Sequence, residues 1–173
     1  MIKAIFLSIL FVFSFLLANA QEKEFKRHSA VLVMSHTYVP EGRQSWGSKD
    51  LLIIPSIGID YNFKFNQNWG LGFQYDIEFM NYVLEYEEDT FLTRKNPMIL
   101  ALLAERKVWK ELTIGIGGGY EIEKSKNLIL LRFTAEYEYE TKNDIVFGPN
   151  ISFDYKDINT TAFAFGLFIG KKF

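Results

Sequence analysis

The chain has 173 residues, of which 49% are hydrophobic and 17% aromatic, with no cysteine and a formal net charge of −2. That length fits one domain, and the missing cysteine excludes disulfides, thiolate metal sites and a lipid-modified N-terminal cysteine. The near-neutral charge offers no basic face for nucleic acid, and the aromatic content with only four prolines excludes a disordered chain.

Residues 1–20, "MIKAIFLSILFVFSFLLANA", place Lys3 before an apolar run and end on the small residues Ala18 and Ala20. This pattern predicts a secretory signal peptide cleaved between Ala20 and Gln21, leaving residues 21–173 as one exported domain. The run is shorter than the roughly 20 apolar residues a spanning helix needs. No later stretch is long and apolar enough for a membrane helix, so a membrane-embedded chain here must be a closed barrel.

From residue 28 the dominant period is two. "HSAVLVMSHT" opens the series, apolar on both faces for part of its length. "IPSIGIDYNFKF" then separates Ile57, Ile59, Tyr61, Phe63 and Phe65 from Ser56, Gly58, Asp60, Asn62 and Lys64. "WGLGFQYDIEF" separates Trp69, Leu71, Phe73, Tyr75 and Ile77 from Gly70, Gly72, Gln74, Asp76 and Glu78. "PMILALLAERKV" is again apolar on both faces and is read as a strand from its place in the series. The facing of 28–37 and 97–108 stays open at this point. "LTIGIGGGYEIE", "LRFTAEYEYE", "DIVFGPNISFDY" and "TAFAFGLFIGKKF" alternate strictly, which brings the total to eight predicted strands.

The connections test that series. Three-residue loops at 66–68, 109–111 and 141–143 pair Phe65 with Trp69, Val108 with Leu112, and Tyr139 with Ile145, keeping apolar opposite apolar. Asn68 and Asn143 fall at the third loop position, where a left-handed backbone is expected. The alternate connections are longer at about 38–50 and 84–96, and charged near 124–127 and 156–160. Short turns on one rim and longer loops on the other match outer-membrane barrels.

Alternation alone does not say which face is inside. The polar face carries Gly58, Gly70, Gly72, Gly115, Gly117, Gly119, Gly148, Ala162, Ala164 and Gly166, and an eight-stranded lumen is only just wide enough for side chains. The other face is crowded with aromatics, including Trp69, Phe63, Phe65, Tyr137, Tyr139 and Phe173 near the short-turn rim, as an interfacial girdle requires. The predicted fold is therefore all-β, an eight-stranded antiparallel up-and-down transmembrane β-barrel with its apolar face outward.

On strand count, loop asymmetry and the ending "FAFGLFIGKKF", residues 28–173 resemble the small eight-stranded outer-membrane barrels of Gram-negative bacteria, the OmpA/OmpX-like class. The resemblance implies residence among outer-membrane lipids and lipopolysaccharide. It also implies that Phe165, Leu167, Ile169 and Phe173 form a C-terminal assembly signal for the insertion machinery. Lys171 departs from that signal by placing a charge on the outer face, near enough to the rim to snorkel.

Candidate chemistry lies in the lumen and the loops. Asp60, Asp76, Glu78, Glu105, Glu121, Glu123, Glu136, Glu138 and Asp154 face Lys64, Lys107, Arg132 and Lys172. Unpaired buried carboxylates are costly, so a paired polar network plugging the lumen is expected, rather than a large pore. A tight hairpin at Ser125–Lys126 would set Arg132 diagonally across from Glu121. Asp60 and Asp76 fall near one another on adjacent strands, as an acid/base dyad or cation site would require. Hydrolytic chemistry needs a nucleophile and an oriented base, and the exported domain offers only His28 and His36; His36, near the outer rim, is the candidate for a lipid-modifying hydrolase, but its neighbour Ser35 points to the opposite face. "GIGGG" at 115–119 lacks the lysine and spacing of a phosphate loop. Loops 38–50 and 84–96 combine charge with Trp46 and Phe91, a mixture suited to a surface partner. No catalytic residue, metal ligand or cofactor is assigned. The expected role is structural or surface-interacting; a lipid-modifying hydrolase and a soluble lipocalin-like binder of apolar ligands are the alternatives.

Overall fold

The computed structural model describes residues 25–44, 51–87 and 90–173. The expected signal peptide (1–20) lies outside them, as does Trp46. Twelve strands follow in chain order: β1 (His28–Tyr38), β2 (Gly42–Gln44), β3 (Ile53–Lys64), β4 (Trp69–Glu78), β5 (Asn81–Glu87), β6 (Thr90–Lys95), β7 (Met98–Lys107), β8 (Leu112–Ile122), β9 (Leu128–Tyr137), β10 (Tyr139–Glu140), β11 (Ile145–Lys156) and β12 (Thr161–Lys172).

Eight of these walls close into a ring. The sheet runs β11-β12-β1-β3-β4-β7-β8-β9, β11 pairs back onto β9, and β10 continues β9 along the same partner. Every pairing is antiparallel, and closure leaves the sheet without an edge, the only way strands cross hydrocarbon with all backbone groups paired. The predicted barrel is the observed one.

The apolar face is outside. Leu32, Met34, Ile57, Ile59, Phe73, Leu102, Ile116, Phe133, Phe147, Phe165, Leu167 and Ile169 are all exposed on the wall, while Asp60, Asn62, Gln74, Glu105, Arg132 and Asp154 are buried within. This is the reverse of a lipocalin, whose apolar residues line the cavity, and it removes the lipocalin-like alternative. The two ambiguous strands also resolve. In β1, Ser29, Val31, Val33 and Thr37 point inward, and His36 and Tyr38 outward. In β7, Ile99, Ala101, Leu103 and Glu105 point inward, and Met98, Leu102 and Arg106 outward. Both strands are apolar on both faces because the lumen is partly apolar along them.

Glycine makes room for the polar heads. The Asp76 carboxylate sits where a Cβ on Gly58 would be, and the Glu105 carboxylate occupies the same space at Gly72. In a lumen this narrow, the small residue on one strand is what admits the carboxylate of the next.

Two predicted turns hold and two registers move. Phe65 pairs with Trp69 and Val108 with Leu112 as expected. Asn66 shapes the first turn by accepting hydrogen bonds from the backbone N–H of Asn68 and Trp69, both 2.9 Å, so Asn68 needs no left-handed backbone. At the third turn Tyr139 pairs with Phe147 rather than Ile145, and Thr141 N–H donates to the Ile145 carbonyl. The left-handed residue is accordingly Asp144, at φ 62°, and not Asn143. In the β8–β9 connection Glu121 pairs with Leu128. The tight Ser125–Lys126 hairpin is replaced by a wider loop, in which the Asn127 side chain accepts from Glu123 N–H and the Glu123 carboxylate accepts from Ser125 N–H.

Beyond the barrel, the connection expected at 84–96 is longer, running from the end of β4 to the start of β7, and it carries two strands. β5 and β6 form a hairpin that pairs with β2 in a separate three-stranded sheet. This sheet seats Tyr82 and Leu84 in an apolar cluster with Val39, Leu52, Ile54, Leu128, Ile158 and Ala162, across the long-loop mouth.

Candidate functional site

The lumen is filled by charge pairs in three tiers. In the middle tier, Arg132 on β9 stands opposite Asp154 on β11 and forms two parallel bonds with it, Nε–Oδ1 2.7 Å and Nη2–Oδ2 2.8 Å. Its remaining nitrogen, Nη1, reaches Asp76 Oδ2 at 2.5 Å and Gln74 Oε1 at 3.1 Å across the lumen on β4. Gln74 in turn donates to Asp60 Oδ2 at 3.3 Å. A planar guanidinium with five donors suits this fork between two carboxylates, which a lysine could not make. Arg132 therefore does not meet Glu121. The wider β8–β9 loop sets Arg132 opposite Gly117 and moves Glu121 to the rim.

Toward the long-loop rim, Glu121 is fully buried between two cations, Arg94 of β6 and Lys156 of β11. Arg94 also donates from Nη1 to the Lys126 carbonyl at 2.5 Å, and Tyr82 donates its hydroxyl to Glu78 Oε2 at 2.8 Å. The sheet over the mouth thus contributes Arg94 and Tyr82 to the barrel's own network.

Toward the short-turn rim, Lys172 bridges Glu138 and Glu140 at 2.6 and 2.5 Å, and Lys26 pairs with Asp144 at 2.7 Å. Lys64, Lys107, Glu105 and Glu136 line this lower lumen on the inward positions of their strands. Every polar residue expected to face the lumen does so except Glu123, which lies instead in the β8–β9 loop beyond the end of β8. Asp60 and Asp76 are linked through Gln74 and Arg132 and do not form a free carboxylate dyad. Among the described residues no cluster of three His, Asp or Glu side chains is arranged to hold a metal ion.

Tyr82, Arg94 and Lys156 were absent from the predicted network, although a signal existed. Tyr82 with Leu84, and Leu92 with Arg94, alternate in "YVLEYEEDTFLTR", so a hairpin with one inward face is written in the loop itself.

His36 is an outward-facing, exposed wall residue. Ser35 points inward and its Oγ shares a 2.6 Å hydrogen bond with Ser56 Oγ. The two sit on opposite faces of one strand, so the expected hydrolase candidate has no Ser–His pair at this position. Phe91 is exposed on the loop sheet, with the Arg43 guanidinium 5.6 Å above its ring and Glu85 paired to Arg43. At the chain's end, Phe165, Leu167, Ile169 and Phe173 lie on the outer face. Phe173 exchanges backbone hydrogen bonds with His28 at 2.9 and 3.2 Å, and their rings stack at 5.8 Å, closing the seam between β1 and β12.

An apolar belt around a polar, side-chain-filled lumen defines the small closed transmembrane barrels as the structural class. Solved structures of that class are similar to this chain. OprG of Pseudomonas aeruginosa aligns with a TM-score of 0.57 at 12% identity, over 86% of this chain and 96% of OprG. Ail, the attachment invasion locus protein of Yersinia pestis, gives 0.53 at 12% identity, over 86% of this chain and all of Ail. Neisserial surface protein A gives 0.50 at 10% identity, over 84% and 97% of the two chains. At these identities the likeness is one of fold. Neither the protein-family models nor the curated proteins contain a match.

Proposed function

We propose that the chain is an exported outer-membrane barrel with a structural or surface-interaction role, its short-turn rim in the periplasm and its loop sheet at the cell surface. The observation that carries this reading is the sealed lumen inside an apolar wall. Three tiers of paired charges and an apolar cap leave nothing for a large pore, and the exposed wall has no use outside lipid. The functional surface is then what stands above the membrane, where Arg43, Glu85 and the exposed Phe91 combine charge and an aromatic ring as a contact patch does. Lipopolysaccharide and an external partner are the occupants this patch would meet, and the C-terminal Phe165, Leu167, Ile169 and Phe173 would serve the insertion machinery. The fold likeness to Ail, a protein named for attachment, favours the same reading.

Fractionation of expressing cells, with gel analysis before and after boiling, tests it. The expected result is recovery in the outer membrane, with the unboiled protein migrating faster. A soluble product with no shift would overturn the reading.

A further inference from the structure

The short-turn mouth opens into a cavity of about 530 Å³ whose wall carries Lys26, Lys64, Lys107, Lys110 and Lys172 against only Glu140 and Asp144. Those two carboxylates are engaged already, Asp144 by Lys26 and Glu140 by Lys172. Lys64 shares the lower lumen with the carboxylates of Glu105, Glu136 and Glu138, whereas Lys107 and Lys110 line the mouth with no ion-pair partner among the described residues. Charges lining a cleft with low-dielectric walls focus their field into it and raise the local concentration of anions.

The rim around this basin is low. Its turns are three-residue connections after Phe65, Val108 and Thr141, so the mouth lies level with the girdle of Phe65, Trp69, Tyr139 and Phe173 that marks the edge of the apolar belt. Just outside, Arg106 is exposed on the wall with its guanidinium 5.2 Å above the Trp69 ring, and Lys171 faces the same level on β12. Such cations at the belt's edge reach toward lipid phosphates.

We propose that this basin binds phosphate, and that its occupant is the headgroup of an anionic phospholipid from the leaflet it borders, drawn over the low rim by Arg106 and Lys171. The inference rests on the reading of the wall as membrane-embedded. Lysine, a compact charge with three rotatable donors, suits a phosphate held from several sides, and Gln67 and Asn68 add neutral polar groups at the lip.

The full mature chain in bilayer nanodiscs of equal phosphatidylcholine and phosphatidylglycerol provides the test, with native mass spectrometry counting the lipids retained. The wild type is expected to retain phosphatidylglycerol in preference, and K107Q/K110Q to weaken that retention about 25-fold, the loss of two lysine–headgroup attractions. The pair K95Q/K124Q, at the opposite end of the barrel, is expected to leave retention unchanged. Inorganic phosphate, titrated in neutral detergent while the Trp109 indole signal is followed, separates the sources. A phosphate response without a phosphatidylglycerol preference would overturn the lipid as occupant. Equal retention of the two lipids together with no phosphate response, or an unchanged preference in K107Q/K110Q, would overturn the basin altogether. Both faces of a nanodisc are alike, so these outcomes do not depend on which rim faces the periplasm. Failure of the membrane reading would show separately, as loss of the heat-dependent gel shift.

Discussion

Glu121 carries more of the upper lumen than any other side chain, because it is the shared partner of two buried cations, Arg94 and Lys156. Replacing it with glutamine would leave both charges in a low-dielectric interior with only an amide to face. Breaking a buried pair in this way costs about 3–5 kcal/mol. Glu121→Gln is therefore expected to lower the unfolding free energy by that order in urea titrations of the folded barrel, and a change below about 1 kcal/mol would show that Arg94 and Lys156 find other partners. The facing of Glu121 was legible in "YEIE", since alternation puts it on the glycine side. Its partners were not. Arg94 comes from a loop strand and Lys156 from the end of β11, and nothing in a period-two pattern says which inward residues stand at the same height.

The hairpin of β5 and β6 decides whether the long-loop end is a set of loops or a lid. Tyr82 and Leu84 are fully buried in the cluster over the mouth, and residues so buried behave as core. Leu84→Ala is expected to remove about 2–5 kcal/mol from that packing, which the hairpin loses through local opening before the barrel is affected. In hydrogen exchange the amides of 81–85 and 91–95 should then exchange faster while β3, β8 and β11 keep their protection. Exchange of the wild-type hairpin at the rate of an unprotected loop would refute the lid. The same element shows why parts of the fold escaped the sequence. Alternation specifies which face a residue takes, so a one-residue slip is visible at once. A two-residue slip preserves every face and is silent. Both misplaced registers, at 123–127 and at 142–144, are slips of two, set by Asn127, Glu123 and Asp144 within the turns.

For the whole molecule, closure follows from eight strands that each turn an apolar face outward, six of them with a polar face opposite it. The inward glycines admit the polar side chains, and the outward Phe65, Trp69, Tyr139 and Phe173 ring the short-turn rim. Those features are local, and the architecture was legible from them. The distribution of charge was less so, since it depends on which loops share an end. The short-turn end gathers Lys26, Lys64, Lys107, Lys110 and Lys172, whereas the loop sheet closes the other end over Glu78 and Glu121. A barrel built this way has two chemically different ends, and its function depends on which one faces outward. The chain has no native cysteine, so single-cysteine variants give a clean readout. The most direct measurement labels K124C, in the exposed loop between β8 and β9, and K110C, in the short turn between β7 and β8, with a membrane-impermeant maleimide on intact cells. Labelling of K124C in intact cells, with K110C reacting only after the outer membrane is permeabilised, is the predicted result. Reaction of K110C in intact cells, or of neither site until permeabilisation, would contradict a barrel that spans the outer membrane with its loop sheet outside.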